Sequence, residues 1–134
     1  MKLHFYQFQH QHAITVIIVH GLLGNGRNWR ARAQALSEVA NVIVPDLRNH
    51  GRSAHGSGSS FDHYANDIIE LIDKLKVGRC VVAGHSLGGK VVMQMALNDP
   101  ERIRGLVVVD MAVRRYVEGN DIIAPLLALD LSRY

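Results

Sequence analysis

The apolar positions of the chain follow two alternating patterns. One is a short continuous run, mostly of β-branched residues: Ile14-Thr15-Val16-Ile17-Ile18-Val19, Val42-Ile43-Val44, Val81-Val82-Ala83 and Leu106-Val107-Val108-Val109. Runs of this kind predict strands covered on both faces, as in a parallel sheet. The other is helical spacing. Tyr64, Ile68, Leu71, Ile72 and Leu75 recur at i, i+4, i+7, i+8 and i+11, one apolar face of a helix that Ser59 and Asp62 would open as a capping box. Trp29 to Ser37 predicts a further helix. Leu87 to Leu97 is so apolar that its helix is expected to be largely buried, and Ile122 to Leu131 would start one more. Lys2 to Gln9 alternates polar and apolar side chains like an edge strand, whereas Asp46 to Ser60, rich in Gly, Ser and His, reads as a loop. Neither an internal repeat nor a linker interrupts the series. The fold class is therefore α/β: a mostly parallel sheet of about six strands with helices on both faces.

Composition narrows the function classes. A chain of 134 residues is one domain, and its formal charge of +3, from dispersed Lys and Arg, gives no basic stripe for nucleic acid. A single cysteine excludes an intrachain disulfide framework and suits a reducing compartment. Met1 to Gln7 lacks the apolar core of a signal peptide, and no apolar run approaches a membrane span. The expectation is a cytoplasmic protein that binds neither membrane nor nucleic acid.

Three segments carry chemistry. Gly84-His85-Ser86-Leu87-Gly88 stands between a predicted strand and a predicted helix, the context of a nucleophile elbow, in which a sharp turn lifts the serine hydroxyl above the sheet at the positive end of the helix. His20-Gly21-Leu22-Leu23-Gly24 follows a predicted strand, where a close-folding loop can aim an amide at a developing oxyanion. Asp46-Leu47-Arg48-Asn49-His50-Gly51-Arg52-Ser53 is read as a buttress beside the site, held by hydrogen bonds and an ion pair, without a catalytic role. His10 and His12 straddle a turn and are the one candidate metal pair, a weaker reading than a plain turn.

Together these segments resemble the α/β-hydrolase superfamily, and within it the small YbfF-type bacterial esterases, over nearly the whole chain to about Asp110. The resemblance implies a carboxylic-ester hydrolase, with some relatives acting on thioesters, that uses no metal or organic cofactor. By position Ser86 matches the nucleophile, and Leu22 with Leu87 the oxyanion hole. His20, Gly21 and His85 belong to the binding cleft, the two histidines holding loops rather than taking the serine proton. Asp110 matches an aspartate that ends the strand after the nucleophile helix. It is either the triad acid or an acceptor that fixes the following loop. Residues 1–113 then form the N-terminal part of the hydrolase core, and 114–134 the start of a helical cap, poorly ordered without its packing partners.

One departure from the family governs the expected activity. The triad order is Ser, acid, His, but all eight histidines (4, 10, 12, 20, 50, 55, 63 and 85) precede Ser86. His50 and His55 lie on the polar loop and could approach the site. A serine hydroxyl is a weak nucleophile without a base, and losing the histidine of such a triad costs roughly 10⁶-fold in turnover, about 8 kcal/mol. The chain alone is expected to be a very weak esterase, one part of an enzyme whose sheet pairs at the Leu106 to Val109 edge with a C-terminal segment or another copy. A non-catalytic binding or assembly module on the same fold, or a thioesterase on the same site, is the alternative.

Overall fold

The computed structural model describes residues 1–8 and 11–113. Within them five strands and three α-helices alternate: β1 (Phe5–Phe8), β2 (Thr15–Val19), α1 (Arg30–Leu36), β3 (Asn41–Pro45), α2 (Phe61–Lys74), β4 (Cys80–His85), α3 (Leu87–Asn98) and β5 (Ile103–Val109). The sheet order is β1-β3-β2-β4-β5, with β1 antiparallel to β3 and every other pairing parallel. About six strands were predicted. The described residues hold five, and the segments 114–134 and Ile122 to Leu131 lie outside them.

Alternation along the central strand explains the layers. Ile17 and Val19 of β2 face one way, into a core with Ile68 and Ile72 of α2 and Val91 and Met95 of α3. Val16 and Ile18 face the other way, against Ala33 and Leu36 of α1. Successive strand residues point to opposite faces, so a continuous apolar run fits a strand with helices on both sides. Among the described residues no helix is long and apolar enough to cross a membrane.

Four expectations change. Of the strand read over Lys2 to Gln9, Lys2 to His4 are not strand and Phe5–Phe8 are, while Gln9 lies outside the described residues. The cap of α2 is Ser60, one residue after the Ser59 read from the sequence; its side chain accepts from the His63 amide, and Asp62 lies in the first turn. Only one face of α3 is buried, through Gly88, Gly89, Val91, Val92 and Met95, while Leu97 is 76% exposed. The run Leu106 to Val109 is not buried: β5 is the last strand of the described sheet, and Leu106, Val107 and Val109 are 43%, 47% and 39% exposed.

Candidate active site

The parallel strands bring the three motifs to one edge. His20 follows β2, Asp46 follows β3, Ser86 follows β4 and Asp110 follows β5, so all four stand at the carboxyl ends of neighbouring strands. In open α/β sheets this is the edge where ligands bind.

Ser86 joins β4 to α3 with φ 52° and ψ −116°, a conformation that costs a non-glycine residue of order 1–3 kcal/mol. The surroundings hold it there. Its amide donates to the Val109 carbonyl of β5 at 3.0 Å, and its carbonyl accepts from the Gly89 amide at 2.8 Å. The glycines on either side serve close approach: a Cβ on Gly84 would overlap the Gly88 carbonyl, and one on Gly88 would overlap the Val19 carbonyl of β2. The Ser86 side chain makes no cap bond to α3, and it is partly exposed. Leu87 opens α3, where a first-turn amide has no acceptor within the helix and sits at the positive end of its dipole.

The loop after β2 closes on the elbow. A Cβ on Gly21 would stand 3.1 Å from His85 Nδ1 and 3.3 Å from the Ser86 Cβ, so the main chain of this loop lies directly against the nucleophile. The Gly24 amide donates to the Gly21 carbonyl at 3.1 Å, a turn that leaves the Leu22 amide unused. His20 fixes the loop from beneath. Its Nε2 accepts from the Leu47 amide at 3.0 Å, which puts the proton on Nδ1, where it donates to the Gly21 carbonyl at 2.8 Å. Burial pushes the His20 pKa down, against the opposing pull of the Gly21 carbonyl, and the nearby His50 lowers it further. A neutral imidazole with both nitrogens committed is a strut between two loops and has no lone pair left for Ser86.

Residues 46–53 make the hydrogen bonds and the ion pair expected of a buttress, with the pair running to Asp67 outside the segment. The fully buried Asp46 carboxylate accepts from the Gly26 amide at 2.6 Å and the Arg52 amide at 2.9 Å, so one side chain ties the loop after β2 to the loop after β3. Gly51 passes this carboxylate at φ 55°, where a Cβ would collide with it. Arg48 pairs with Asp67 of α2 through two bonds, Nε to Oδ2 at 2.6 Å and Nη2 to Oδ1 at 2.8 Å, and its Nη1 donates to the Ser57 and Gly58 carbonyls. His50 packs its ring 5.3 Å from that of His20, with Nδ1 bonded to the Arg48 carbonyl. Neither His50 nor His55 lines the cleft at Ser86.

Asp110 follows β5 at φ 52° with its side chain 86% exposed, and its carboxylate lies 3.9 Å from His85 Nε2. The cleft at Ser86 encloses about 340 Å³ between His20, Gly21, Leu22, Leu23, Gly24, Asn28, Trp29 and His85. Of the site residues read from the sequence, His20, Gly21, Leu22, His85 and Ser86 line the cleft, while Leu87, next to Ser86 in the chain, and Asp110 do not. A larger hollow of about 480 Å³ at Lys2, Leu3, His4, Phe5, Arg52 and Ala54 shares none of these residues. His10 lies outside the described residues. His12 Nε2 is bonded to the Ser37 carbonyl, and among the described residues no three His, Cys, Asp or Glu side chains converge.

Three contributors escaped the sequence reading. Asp67 interrupts the apolar face of α2, which was the only signal of its buried charge. Asn28 and Trp29 belong to a short 3₁₀ turn (Gly26–Trp29) capped by Asn25, and they wall the cleft where the sequence suggested only the start of a helix.

Known proteins give the same picture. The family described as alpha/beta hydrolase fold matches residues 14–129. An sn-1-specific diacylglycerol lipase ABHD11 of Danio rerio is 38% identical over 72% of this chain and 31% of its own length. Esterase YbfF of Escherichia coli is 34% identical over 84% of this chain and 46% of its own. A solved structure named as a marine microorganism esterase superposes with a TM-score of 0.89 at 33% identity, covering 98% of this chain and 53% of that one. The chain thus spans 31% to 46% of the length of these curated relatives. With a matching fold, a strained serine at the strand-to-helix turn and named relatives that are esterases and lipases, the chain belongs to the α/β-hydrolase family.

Proposed function

We propose that this chain is the nucleophile-bearing part of a serine hydrolase for carboxylic esters. Ser86 Oγ attacks the ester carbonyl, and the Leu22 and Leu87 amides hold the oxyanion that forms. Collapse breaks the C–O bond to the alcohol, which leaves with the proton. Water then attacks the acyl-serine, releasing the acid and restoring the hydroxyl. A thioester would pass through the same steps with a thiol as leaving group. The proton carrier is a histidine that this chain does not place after Ser86, and Asp110 is the acid that orients it. The observation that carries this reading is the Ser86 conformation: φ 52°, next to the main chain of Gly21 and open to the cleft.

Covalent labelling tests it. A fluorophosphonate is expected to mark the chain at Ser86 slowly, and Ser86→Ala is expected to abolish the label, as read by intact mass. A chain that stays unlabelled even with a histidine-bearing C-terminal half supplied would leave only a binding module on a hydrolase fold.

The partner surface in this reading is β5. An apolar edge strand with unpaired backbone groups recruits another strand, here from a C-terminal segment or from a second copy. The chain alone is expected to self-associate in sedimentation, and Val107→Lys to shift it toward monomer. A monodisperse wild-type monomer would remove this edge as a pairing surface.

A further inference from the structure

A second hollow adjoins the cleft at Ser86. It encloses about 290 Å³ between Asn28, Trp29, Arg32 and His85, and three of these four residues also line the Ser86 cleft. The two hollows thus meet at Asn28, Trp29 and His85, and the Trp29 and His85 ring centroids are 6.2 Å apart. Ser86 lines the first hollow and Arg32 the second.

Arg32 is exposed on α1, and it takes part in none of the ion pairs among the described residues, whose arginine members are Arg48 and Arg102. Nothing nearby in sequence offsets its charge. No acidic residue occurs before Glu38, whereas Arg27 and Arg30 flank Trp29 closely. Asp46 spends both oxygens on the Gly26 and Arg52 amides, and the Asp110 carboxylate, 3.9 Å from His85 Nε2, lies on the His85 side of the groove and does not pair with Arg32. Asn28 adds side-chain N–H donors, because its Oδ1 already accepts from the Asn25 amide. A planar donor fork in an aromatic-walled groove suits a carboxylate or phosphate oxygen pair.

Resting on the hydrolase reading above, we infer that the substrate is an ester or thioester that carries an anionic group, with its carbonyl at Ser86 and its carboxylate or phosphate at Arg32. Arg32 is then a specificity-determining residue, while Trp29 and His85 flank the connecting chain.

The chain contains one tryptophan, so its fluorescence reports this groove without any catalysis. Monomethyl glutarate and propyl phosphate, titrated separately, would tell a carboxylate from a phosphate as the preferred group, and neutral dimethyl glutarate serves as control. At least one anion is expected to change Trp29 emission saturably, about tenfold more tightly than the neutral ester, with an affinity that falls as salt rises. Arg32→Gln is expected to erase that preference and Arg32→Lys to keep part of it. Arg30→Gln, on the same exposed helix but outside the groove, is expected to leave it intact. Equal affinity for charged and neutral ligands, or equal losses in Arg30→Gln and Arg32→Gln, would overturn the inference. The two readings fail separately. Labelled Ser86 without anion preference sinks this one alone, whereas anion preference with Ser86 unlabelled even beside a histidine-bearing C-terminal half leaves Arg32 an anion site and sinks the hydrolase and the ester substrate with it.

Discussion

Joined to a C-terminal half that carries a histidine, the chain is expected to gain ester turnover by up to about 10⁶-fold over the chain alone. Within the joined enzyme, Ser86→Ala is expected to remove that gain, because nucleophile and base act as one unit. Asp110→Asn is the more informative variant. If Asp110 orients the histidine, the amide favours the wrong tautomer, and turnover drops by about 10⁴-fold. If it only fixes the loop after β5, the loss stays below about tenfold. Stability does not confuse the two outcomes. The carboxylate is 86% exposed, and among the described residues its contact is His85 Nε2 at 3.9 Å, so its deletion is expected to leave the melting temperature nearly unchanged. Hydrolysis of a p-nitrophenyl ester, measured beside thermal melting, separates chemistry from folding. A joined enzyme no faster than the chain alone would sink the assignment of Ser86 as nucleophile.

What the sequence disclosed is what local sterics dictate. The glycines beside Ser86 mark places where a Cβ has no room against Val19 and against the first turn of α3, and that requirement shows at fixed spacing in a single segment. The D-x-R-x-x-G-x-S loop was legible as a buttress for the same reason, since Gly51 must pass the Asp46 carboxylate. Hidden features depended on partners distant in sequence. Asp67 stands on the apolar face of α2, and its partner Arg48 lies on a different loop, out of reach of any pattern within the helix. Trp29 became a cleft wall only when the loop after β2 closed on β4. The cap of α2 was misplaced between adjacent serines, because the choice depends on which one is extended in front of His63. The run in β5 spoke truly of a strand, but apolar composition cannot say whether a neighbour is present, and here the strand is the sheet's edge. In α3 a similar excess of apolar residues concealed a face that the described structure leaves open at Leu97.

The Arg48–Asp67 pair carries the largest stability effect, and its surroundings predict an asymmetry between the partners. Both side chains are nearly excluded from water, at 7% and 3% exposed. Removing one member of a buried pair strands the other charge, at a cost of about 3–5 kcal/mol. The amino terminus changes that account on one side only, because the Met1 ammonium lies 3.3 Å from Asp67 Oδ1. Arg48→Ala therefore leaves the carboxylate with a cation still nearby and is expected at the low end, about 3 kcal/mol. Asp67→Ala leaves a buried guanidinium on the Ser57 and Gly58 carbonyls, with no carboxylate bonded to it and only the more distant Glu70, itself paired with the Met1 ammonium, to offset its charge, and is expected to cost more. For a chain of this size either loss lowers the melting temperature by on the order of 10 °C. Apolar replacement of both members, Arg48→Met with Asp67→Leu, removes the stranded charge and is expected to recover most of the loss. It would not restore the grip of Arg48 on Ser57 and Gly58, so the loop from 46 to 60 is expected to exchange its amides faster even where the melting temperature returns. Single variants that melt like the wild type would show that the pair holds nothing, and the strut from Arg48 through His50 to His20 and Gly21 would lose its anchor.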